Sequence, residues 1–508
     1  MANHLFQTKS LAQLLDEMAG ENRLRRVLGP VQLTSLGVGA IIGAGIFVAT
    51  GAAARNVAGP ALMVSYVVAG MTCVFAALCY AEFASMVPVA GSAYTYAYAT
   101  LGELFAWIIG WDLILEYAVG SATVANGWSG YFQSVLAKFG VHIPAALAGP
   151  PIVYDTATGA FVRTAGVVNL PAILIVALVT AVLVKGIQES AGFNTTMVFL
   201  KVAAVFFVIL VGAFYINPSN WTPFAPYGMS GLSFFGKPLM GQVNGGGQPV
   251  GMLAGAAIIF FAYIGFDSVS THAEEAKDPT RDVPIGIIAS LLICTVLYIA
   301  VVAVLTGMVR YDQLSVDAGV SDAFKQAGLP WAEFIIAAAG VAGITSVLLV
   351  LMLSAPRVFL AMARDGMVPP NFFGAVHPTF RTPWKSTILI GAFVATMTGF
   401  LPIDALLHLA NIGTLFAFLI VCAAVLIMRR TNPDAKRPFR APFYPAVPIL
   451  GIGSCLMLMF SLPVENWYRL VAWMLLGFVI YFSYGYRKSE LRKQLELKAA
   501  QAGGARRG

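Results

Sequence analysis

The chain has 508 residues, of which 58% are hydrophobic and only 11% are charged, and its net charge is +7. Soluble globular proteins carry about 25% charged residues, so this composition excludes a soluble domain and indicates an integral membrane protein. The five cysteines lie in apolar segments without metal-type spacing, which argues against a disulfide framework.

The first 30 residues are polar and amphipathic, and they lack the apolar core and cleavage site of a signal peptide. Uncharged or nearly uncharged stretches then recur along the chain, each close to the roughly 20 residues that cross a bilayer as a helix. They predict an all-α integral membrane protein with twelve transmembrane spans, near residues 31–53, 61–86, 103–137, 167–185, 191–216, 249–272, 283–308, 331–363, 384–402, 405–428, 446–463 and 467–487.

The basic residues between the spans predict the orientation. With the N-terminus inside, most Lys and Arg fall in cytoplasmic segments, with a dense cluster at Arg429, Arg430, Lys436, Arg437 and Arg440. The positive-inside rule therefore predicts a multi-pass protein of the cell inner membrane with both termini in the cytoplasm. The same bias accounts for the net positive charge without a nucleic-acid partner.

Span 1 contains a glycine-rich stretch, GVGAIIGAGIF, from Gly37 to Phe47. Glycine costs about 1 kcal/mol in a helix interior, and a backbone that leaves the helix inside lipid has no water to bind. Span 6 has a matching interruption at Tyr263, Gly265 and Asp267. Interrupted spans in corresponding positions of two halves, helices 1–5 and 6–10, are typical of inverted-repeat transporters, whose site lies between the breaks.

Two other interpretations of the glycine-rich stretch are open. Gly39 and Gly43 form a small-xxx-small pattern, which packs transmembrane helices closely without a break. Gly37 and Gly39 also suit part of a dinucleotide-binding fingerprint, but Ile42 replaces its third glycine and a transmembrane run offers no strand–turn–helix context. The matched interruption in span 6 favours a transport site over both.

Four motifs resemble the amino acid–polyamine–organocation superfamily, and within it the cationic amino acid transporter family in its bacterial twelve-helix form: GVGAIIGAGIFVATG, FFAYIGFDSVSTHAEEAKDPTRDVPIGI, APRVFLAMARDGMVP and RPFRAPFYPAVPILG. The similarity runs from about residue 22 to 487. It implies amino acid transport on a LeuT-type fold, a five-plus-five inverted repeat with helices 1 and 6 unwound, plus two C-terminal helices. It calls for no cofactor and allows a small accessory membrane subunit.

The resemblance also divides the chain into a cytoplasmic segment 1–30, a transporter core 31–428, helices 11 and 12 with the preceding loop 429–487, and a cytoplasmic tail 488–508. In the core, an amino acid substrate presents one carboxylate and one ammonium group. A half-helix that starts after Ile42 offers free N–H groups and the positive end of its dipole, which suit a carboxylate. The predicted carboxylate ligands are the amides of Gly43, Ala44 and Gly45. The resemblance implies that four carbonyl groups bind the ammonium, those of Ile41, Phe261, Ala262 and Ile264. It also implies that the Phe261 ring lies over the substrate.

Four ionisable residues inside the predicted spans are candidates for a role in transport. Lys201 lies about 15 Å into span 5, where an unpaired charge is costly. The resemblance places it where sodium-coupled relatives bind their ion, and a buried amine can exchange a proton instead, which predicts proton symport. Glu116 resembles the family's buried acid and is the candidate partner of Lys201, with Asp112 one turn away, while Asp267 caps the outgoing half-helix or gates the cavity.

The residue types favour a carrier over other classes. No nucleophile, metal cluster or cofactor motif accompanies the buried carboxylates, so we do not expect an enzyme. A channel would need repeated pore-lining rings, and a nutrient receptor would carry long soluble extensions. By the same resemblance, family members that carry arginine and lysine have a small residue at the position of Leu351 in this chain, or of Met352 if the alignment shifts by one residue. We therefore expect small neutral L-amino acids, with cationic amino acid transport or exchange as the alternative.

Overall fold

The computed structural model describes residues 7–9, 28–86, 92–155, 160–186, 191–235, 237–245, 247–273, 276–316, 318–380 and 382–493. Helices dominate this part of the chain. They are α1 Pro30–Ile41, α2 Thr50–Ala53, α3 Leu62–Met86, α4 Ser92–Thr100, α5 Glu103–Lys138, α6 Ala145–Ala148, α7 Leu170–Lys185, α8 Ala191–Ala213, α9 Met252–Ile259, α10 Ser268–Thr271, α11 Pro279–Met308, α12 Gly319–Gln326, α13 Pro330–Arg364, α14 Pro370–Phe373, α15 Trp384–Phe400, α16 Ile403–Thr431, α17 Ala446–Ser461, α18 Val464–Ile480 and α19 Tyr486–Lys488.

Three antiparallel hairpins accompany the helices among the described residues. β1 Ile152–Asp155 pairs with β2 Ala160–Arg163 in the connection between α5 and α7. β3 Leu232–Phe234 pairs with β4 Lys237–Met240, and β5 Gln242–Val243 pairs with β6 Pro249–Val250, both between α8 and α9. The strands are short and confined to loops, so they add local order without forming a layer of the fold.

Seven helices in the described part of the chain are long and apolar enough to cross a membrane. The shorter apolar helices include α1, α7 and α17. The structure is thus that of an all-helical membrane protein, and every predicted span contains at least one helix. The last span begins at Val464, three residues before the predicted start, and its helix continues from α18 through the π-helical turn Tyr481–Gly485 into α19, which ends at Lys488.

The two longest uninterrupted helices, α5 and α13, pack along each other and form the centre of the molecule. Their contact is close because small residues face large ones: a Cβ on Gly340 of α13 would lie 2.7 Å from the ring of Tyr131 on α5. On the other side of the interrupted helices, α11 packs against both α1 and α3. The breaks in spans 1 and 6 are therefore enclosed by α5 and α13 on one side and by α11 on the other.

The end of the molecule where α16 stops and α17 starts is called the basic end below. Three other helix segments also lie there: α4, the start of α5 and the end of α13. Asp365, which follows α13, accepts a hydrogen bond from Tyr94 of α4, and Glu103, the first residue of α5, accepts one from Tyr481. Lys9 reaches the same place and pairs with Asp365 at 2.7 Å. The expected cytoplasmic segment 1–30 and tail 488–508 lie largely outside the described residues.

Candidate functional site

The first break follows α1, which ends at Ile41. Ile42 takes an extended conformation (φ −71°, ψ 103°), and helical structure resumes with the π-helical turn Gly45–Ala49. Within the described residues, the N–H groups of Gly43 and Ala44 have no hydrogen-bond acceptor. Free amides at the start of a helical segment attract an anion, because the local dipole is positive and the donors lack partners.

The second break follows α9, which ends at Ile259 and tightens into the 3-10 turn Phe260–Tyr263. Gly265 then takes a φ of 117°, a conformation that favours glycine, before α10 begins. The amide of Asn411 donates to two carbonyls near the end of α9, those of Ala257 and Ile258, at 2.8 Å each. Carbonyl groups at a helix end lack the full set of helical N–H donors, and lipid offers none. The Asn411 amide therefore donates to two of them.

The two breaks touch each other. A Cβ on Gly45 would collide with the backbone of Ala262, and one on Gly265 would lie 2.9 Å from the carbonyl oxygen of Ala40. The hydroxyl of Tyr298 on α11 lies within hydrogen-bond distance of both breaks, 2.8 Å from Ile41 O and 3.1 Å from Ala262 O. One hydroxyl group therefore bridges two of the carbonyls that the sequence suggests as ammonium ligands.

Lys201 is 1% exposed, and its ammonium donates to the carbonyl oxygen of Gly39 at 2.7 Å. Its stem passes α13 at Gly343, where a Cβ would lie 3.2 Å from Lys201 Cγ. No ion pair joins Lys201 to Glu116 in the described part of the chain. The lysine is thus tied to helix α1 one turn before the break, and its expected contact with Glu116 is not made in this conformation.

Glu116 lies with other acids instead. It is close enough to Asp267 and Asp112 to experience their charge, and all three carboxyl groups are buried. Tyr117 donates to Oδ2 of Asp267 at 2.9 Å, whereas both carboxyl oxygens of Glu116 and of Asp112 have no hydrogen-bond partner within the described residues. Asp267 makes no side-chain capping bond to α10. Its capping role is therefore wrong, and the tie to Tyr117 on α5 replaces it.

One stripe of α13 faces the breaks. Gly343, Val347 and Leu351 follow at intervals of four residues, which places them on one helix face. A Cβ on Gly43 would lie 2.7 Å from Val347, and one on Gly120 of α5 would lie 3.5 Å from Leu351. Both side chains are apolar and buried. This stripe therefore includes Leu351 and excludes Met352, its neighbour in sequence.

A cavity of about 70 Å³ lies away from the breaks, at the end of the molecule opposite the basic end. Its polar lining includes Asn56, Gln248, Asp404 and His408. The cavity touches α9 at Ala257 and Ile258, one turn before the second break. His408 lines this cavity and not the predicted substrate groups.

Sequence reasoning missed several residues at the breaks. Tyr298, Asn411 and Val347 each stand in a long apolar span, where an aromatic, amide or β-branched residue is ordinarily read as packing. Tyr298 and Asn411 donate to main-chain oxygens far away in sequence, and Val347 packs against Gly43, so no local pattern signals them. The only usable hint was Asn411, a buried amide that requires hydrogen-bond partners in a helix surrounded by lipid.

The chain is similar to known transporters along most of its length. Residues 28–482 match a family model described as amino acid permease. The chain is 45% identical to the methylthioribose transporter of Bacillus subtilis (strain 168), over 96% of this chain and 99% of that protein. It is 46% identical to the branched-chain amino acid permease BcaP of the same organism, over 97% and 100% of the two chains. Human cationic amino acid transporter 4 is 36% identical, over 86% of this chain and 66% of that protein.

Proposed function

Because the chain belongs to the amino acid permease family of the amino acid–polyamine–organocation superfamily, we propose that it imports neutral L-amino acids with small or branched apolar side chains by proton symport. The observation that carries this proposal is the direct contact of the two helix breaks, which leaves main-chain donors and acceptors side by side in the membrane interior. An amino acid is a ligand that uses both kinds of group at once. Family membership already identifies a transporter rather than an enzyme.

The proposed site binds the substrate carboxylate at the amides of Gly43, Ala44 and Gly45. The ammonium group is bound by the carbonyls of Phe261, Ala262, Ile264 and Ile41, with the Phe261 ring beside it. A carbonyl oxygen has two lone pairs, so Ile41 and Ala262 can accept from an ammonium group while Tyr298 donates to them. Neither end of the substrate then needs a charged side chain of the protein.

The proposed substrate class follows from the apolar stripe of α13. Val347 lies against the first break and Leu351 lies against α5, so the side chain of a bound amino acid meets methyl groups. The name of one relative, a branched-chain amino acid permease, supports this class. The name of the methylthioribose transporter favours a second candidate, a thioether sugar, whose methylthio group is equally apolar. Cationic amino acids remain the alternative, since more distant relatives are named for them.

The proposed coupling ion is the proton, exchanged at Lys201. When protonated, the ammonium holds α1 through a charge-assisted hydrogen bond to Gly39 O; when neutral, the amine donates more weakly and α1 is held less firmly. Glu116 and the neighbouring Asp267 are the proposed acidic partners in the same cycle, with Asp267 gating through its bond to Tyr117. Proton coupling requires Lys201 to be protonated when the cavity faces one side of the membrane and neutral when it faces the other. Alternating access supplies these two orientations of the cavity.

The proposed membrane arrangement has twelve spans in a five-plus-five inverted repeat, with both termini in the cytoplasm of the inner membrane. The basic end is then the cytoplasmic end. In this arrangement residues 31–428 form the core, with 429–487 added to it.

Uptake into proteoliposomes tests substrate and coupling together. With an inward proton gradient and no sodium, we expect accumulation of valine, leucine or alanine and little of arginine or methylthioribose. Leu351→Ser lengthens the pocket, and we expect larger substrates to improve by several-fold, since one to a few buried methylenes are worth about 1–3 kcal/mol. Met352→Ser is the matched control and should leave the ranking unchanged. Better uptake of arginine than of alanine by the native protein, or a requirement for sodium, would contradict the proposal.

A further inference from the structure

The loop between α16 and α17, together with the last turn of α16, is rich in basic residues and has no part in the proposed transport site. This segment, residues 429–445, is called the basic loop. Its cations are Arg429, Arg430, Lys436, Arg437 and Arg440, and its acid is Asp434. It contains most of the motif RPFRAPFYPAVPILG, which has no role in the proposed substrate binding or proton coupling.

Two of these cations are used inside the protein. Arg429 donates to Glu82 at the end of α3 through two nitrogen atoms, at 2.9 and 2.5 Å, and stacks on the Tyr444 ring. Arg437 lies 3.5 Å from the same carboxylate, and the backbone N–H of Ala441 donates to it at 2.8 Å. Glu82 therefore fixes the path of the basic loop against α3.

The other cations point outward. Arg430, Lys436 and Arg440 are exposed, and no ion pair joins them to an acidic side chain among the residues that the structure describes. Each of the three is next in sequence to a residue that contacts Glu82: Arg430 follows Arg429, Lys436 precedes Arg437 and Arg440 precedes Ala441. One carboxylate therefore fixes the backbone beside all three cations. A preformed group of cations loses less conformational freedom on binding an anion than three independent side chains would.

Aromatic and aliphatic side chains continue from this cationic surface. Phe443 is 83% exposed and has a φ of 50°, an uncommon conformation for a residue other than glycine. Six and seven residues later, Ile449 and Leu450 in the first turns of α17 are about half exposed, at 53% and 52%. Basic, then aromatic, then aliphatic residues thus follow one another along the chain, which is the order of headgroup, interface and hydrocarbon in a membrane leaflet.

We propose that Arg430, Lys436, Arg440 and Phe443 form a binding site for an anionic phospholipid of the leaflet at the basic end. The phosphate of a headgroup with net negative charge contacts the three cations, and the Phe443 ring lies among the upper acyl-chain carbons. A soluble phosphate has no apolar part that could contact Phe443 and the exposed face of α17. We therefore assign the site to a lipid. This site does not depend on which substrate the transporter carries.

Titration of the purified full-length protein with phosphatidylglycerol and with phosphatidylcholine, followed by native mass spectrometry, tests the proposal. We expect preferential binding of phosphatidylglycerol to the native protein. A cation near an anionic membrane surface contributes about 1 kcal/mol, or roughly fivefold in affinity. The triple variant Arg430→Gln, Lys436→Gln, Arg440→Gln should therefore lose at least tenfold in phosphatidylglycerol affinity and become indifferent to headgroup charge. Unchanged preference in this variant would overturn the proposal.

Matched controls separate a built site from net charge. The triple variant Lys277→Gln, Arg281→Gln, Arg487→Gln removes equal charge from other exposed positions and should keep the native preference. Arg429→Gln, next in sequence to Arg430, should lower the melting temperature but keep the lipid preference, because Arg437 and the Ala441 N–H still bind Glu82 and the three outward cations remain. If the triple loop variant does not fold, the single change Arg430→Gln replaces it and should lose about fivefold. Equal loss in the control triple, or full competition by the soluble headgroup glycerophosphoglycerol, would show a general charge effect or a soluble-anion site instead of a lipid site.

Discussion

Buried polar groups are treated differently at the two helix breaks and at the basic end. At the breaks, the groups proposed to bind substrate are main-chain atoms, free or contacted by neutral side chains such as Tyr298, while Lys201 donates to a carbonyl and Asp267 accepts from Tyr117. At the basic end, three buried carboxylates accept from side-chain donors. Glu82 accepts from Arg429, Asp365 accepts from Lys9 and Tyr94, and Glu103 accepts from Tyr481 and Ser489.

The difference separates groups that hold the fold from groups that are available to a ligand. Removing one partner of a buried ion pair leaves an uncompensated charge, so such pairs fasten the elements that carry them. A main-chain carbonyl with one donor can still accept another, and an amide without an acceptor is free to bind an anion. The contrast therefore predicts that damage at the basic end lowers stability, while damage at the breaks lowers transport.

The largest expected effect is on stability, from Glu82→Ala. The change leaves Arg429 and Arg437 without their common carboxylate, and we expect the free energy of unfolding to fall by about 3 kcal/mol. Melting temperature in detergent measures this, with substrate affinity in the folded fraction expected to be native. Glu490→Ala is the control, because its pair with Lys493 is about half exposed and contributes at most about 1 kcal/mol. Similar melting temperatures for Glu82→Ala and Glu490→Ala would contradict the expectation that the buried ion pairs of Glu82 hold the fold.

The next effect is on accumulation, from Lys201→Met. A proton that crosses a potential of 100 mV contributes about 2.3 kcal/mol, enough for roughly 50-fold accumulation of a neutral substrate. Without an exchangeable proton we expect accumulation to vanish and its pH dependence to flatten, while substrate-induced thermal stabilisation persists. Lys201→Arg keeps the charge but does not readily release a proton, so it should also fail. Full accumulation by the Met variant would show that the lysine is only a structural cation.

The smallest effect is on affinity, from Tyr298→Phe. The hydroxyl bridges Ile41 O and Ala262 O, and we expect its loss to let the breaks separate and to weaken substrate binding about tenfold, the value of one good hydrogen bond. Tyr263→Phe removes a similar buried bond, to Tyr66 O at 2.8 Å, without touching the first break. Binding measured by thermal stabilisation should distinguish them. Equal affinities in the two variants would remove Tyr298 from the site.

The sequence by itself predicted the class of the protein. Charge depletion and long apolar runs indicate a membrane protein because lipid excludes charge, and this holds whatever the helices pack against. The family also followed from the sequence, since its motifs are contiguous. The helix interruptions at Ile42 and Gly265 were visible too, because glycine and polar residues in an apolar span are local signals.

Only the tertiary structure decided which groups meet. That Tyr298 lies between Ile41 and Ala262, that Val347 covers Gly43, and that Glu116 lies with Asp267 rather than with Lys201 depend on how distant helices pack. The same is true of Arg429 and Arg430, neighbours of identical chemistry, of which one is bound to Glu82 and the other exposed. Helical periodicity gives the face on which a side chain lies, but the partner on that face is set by the packing of the whole bundle.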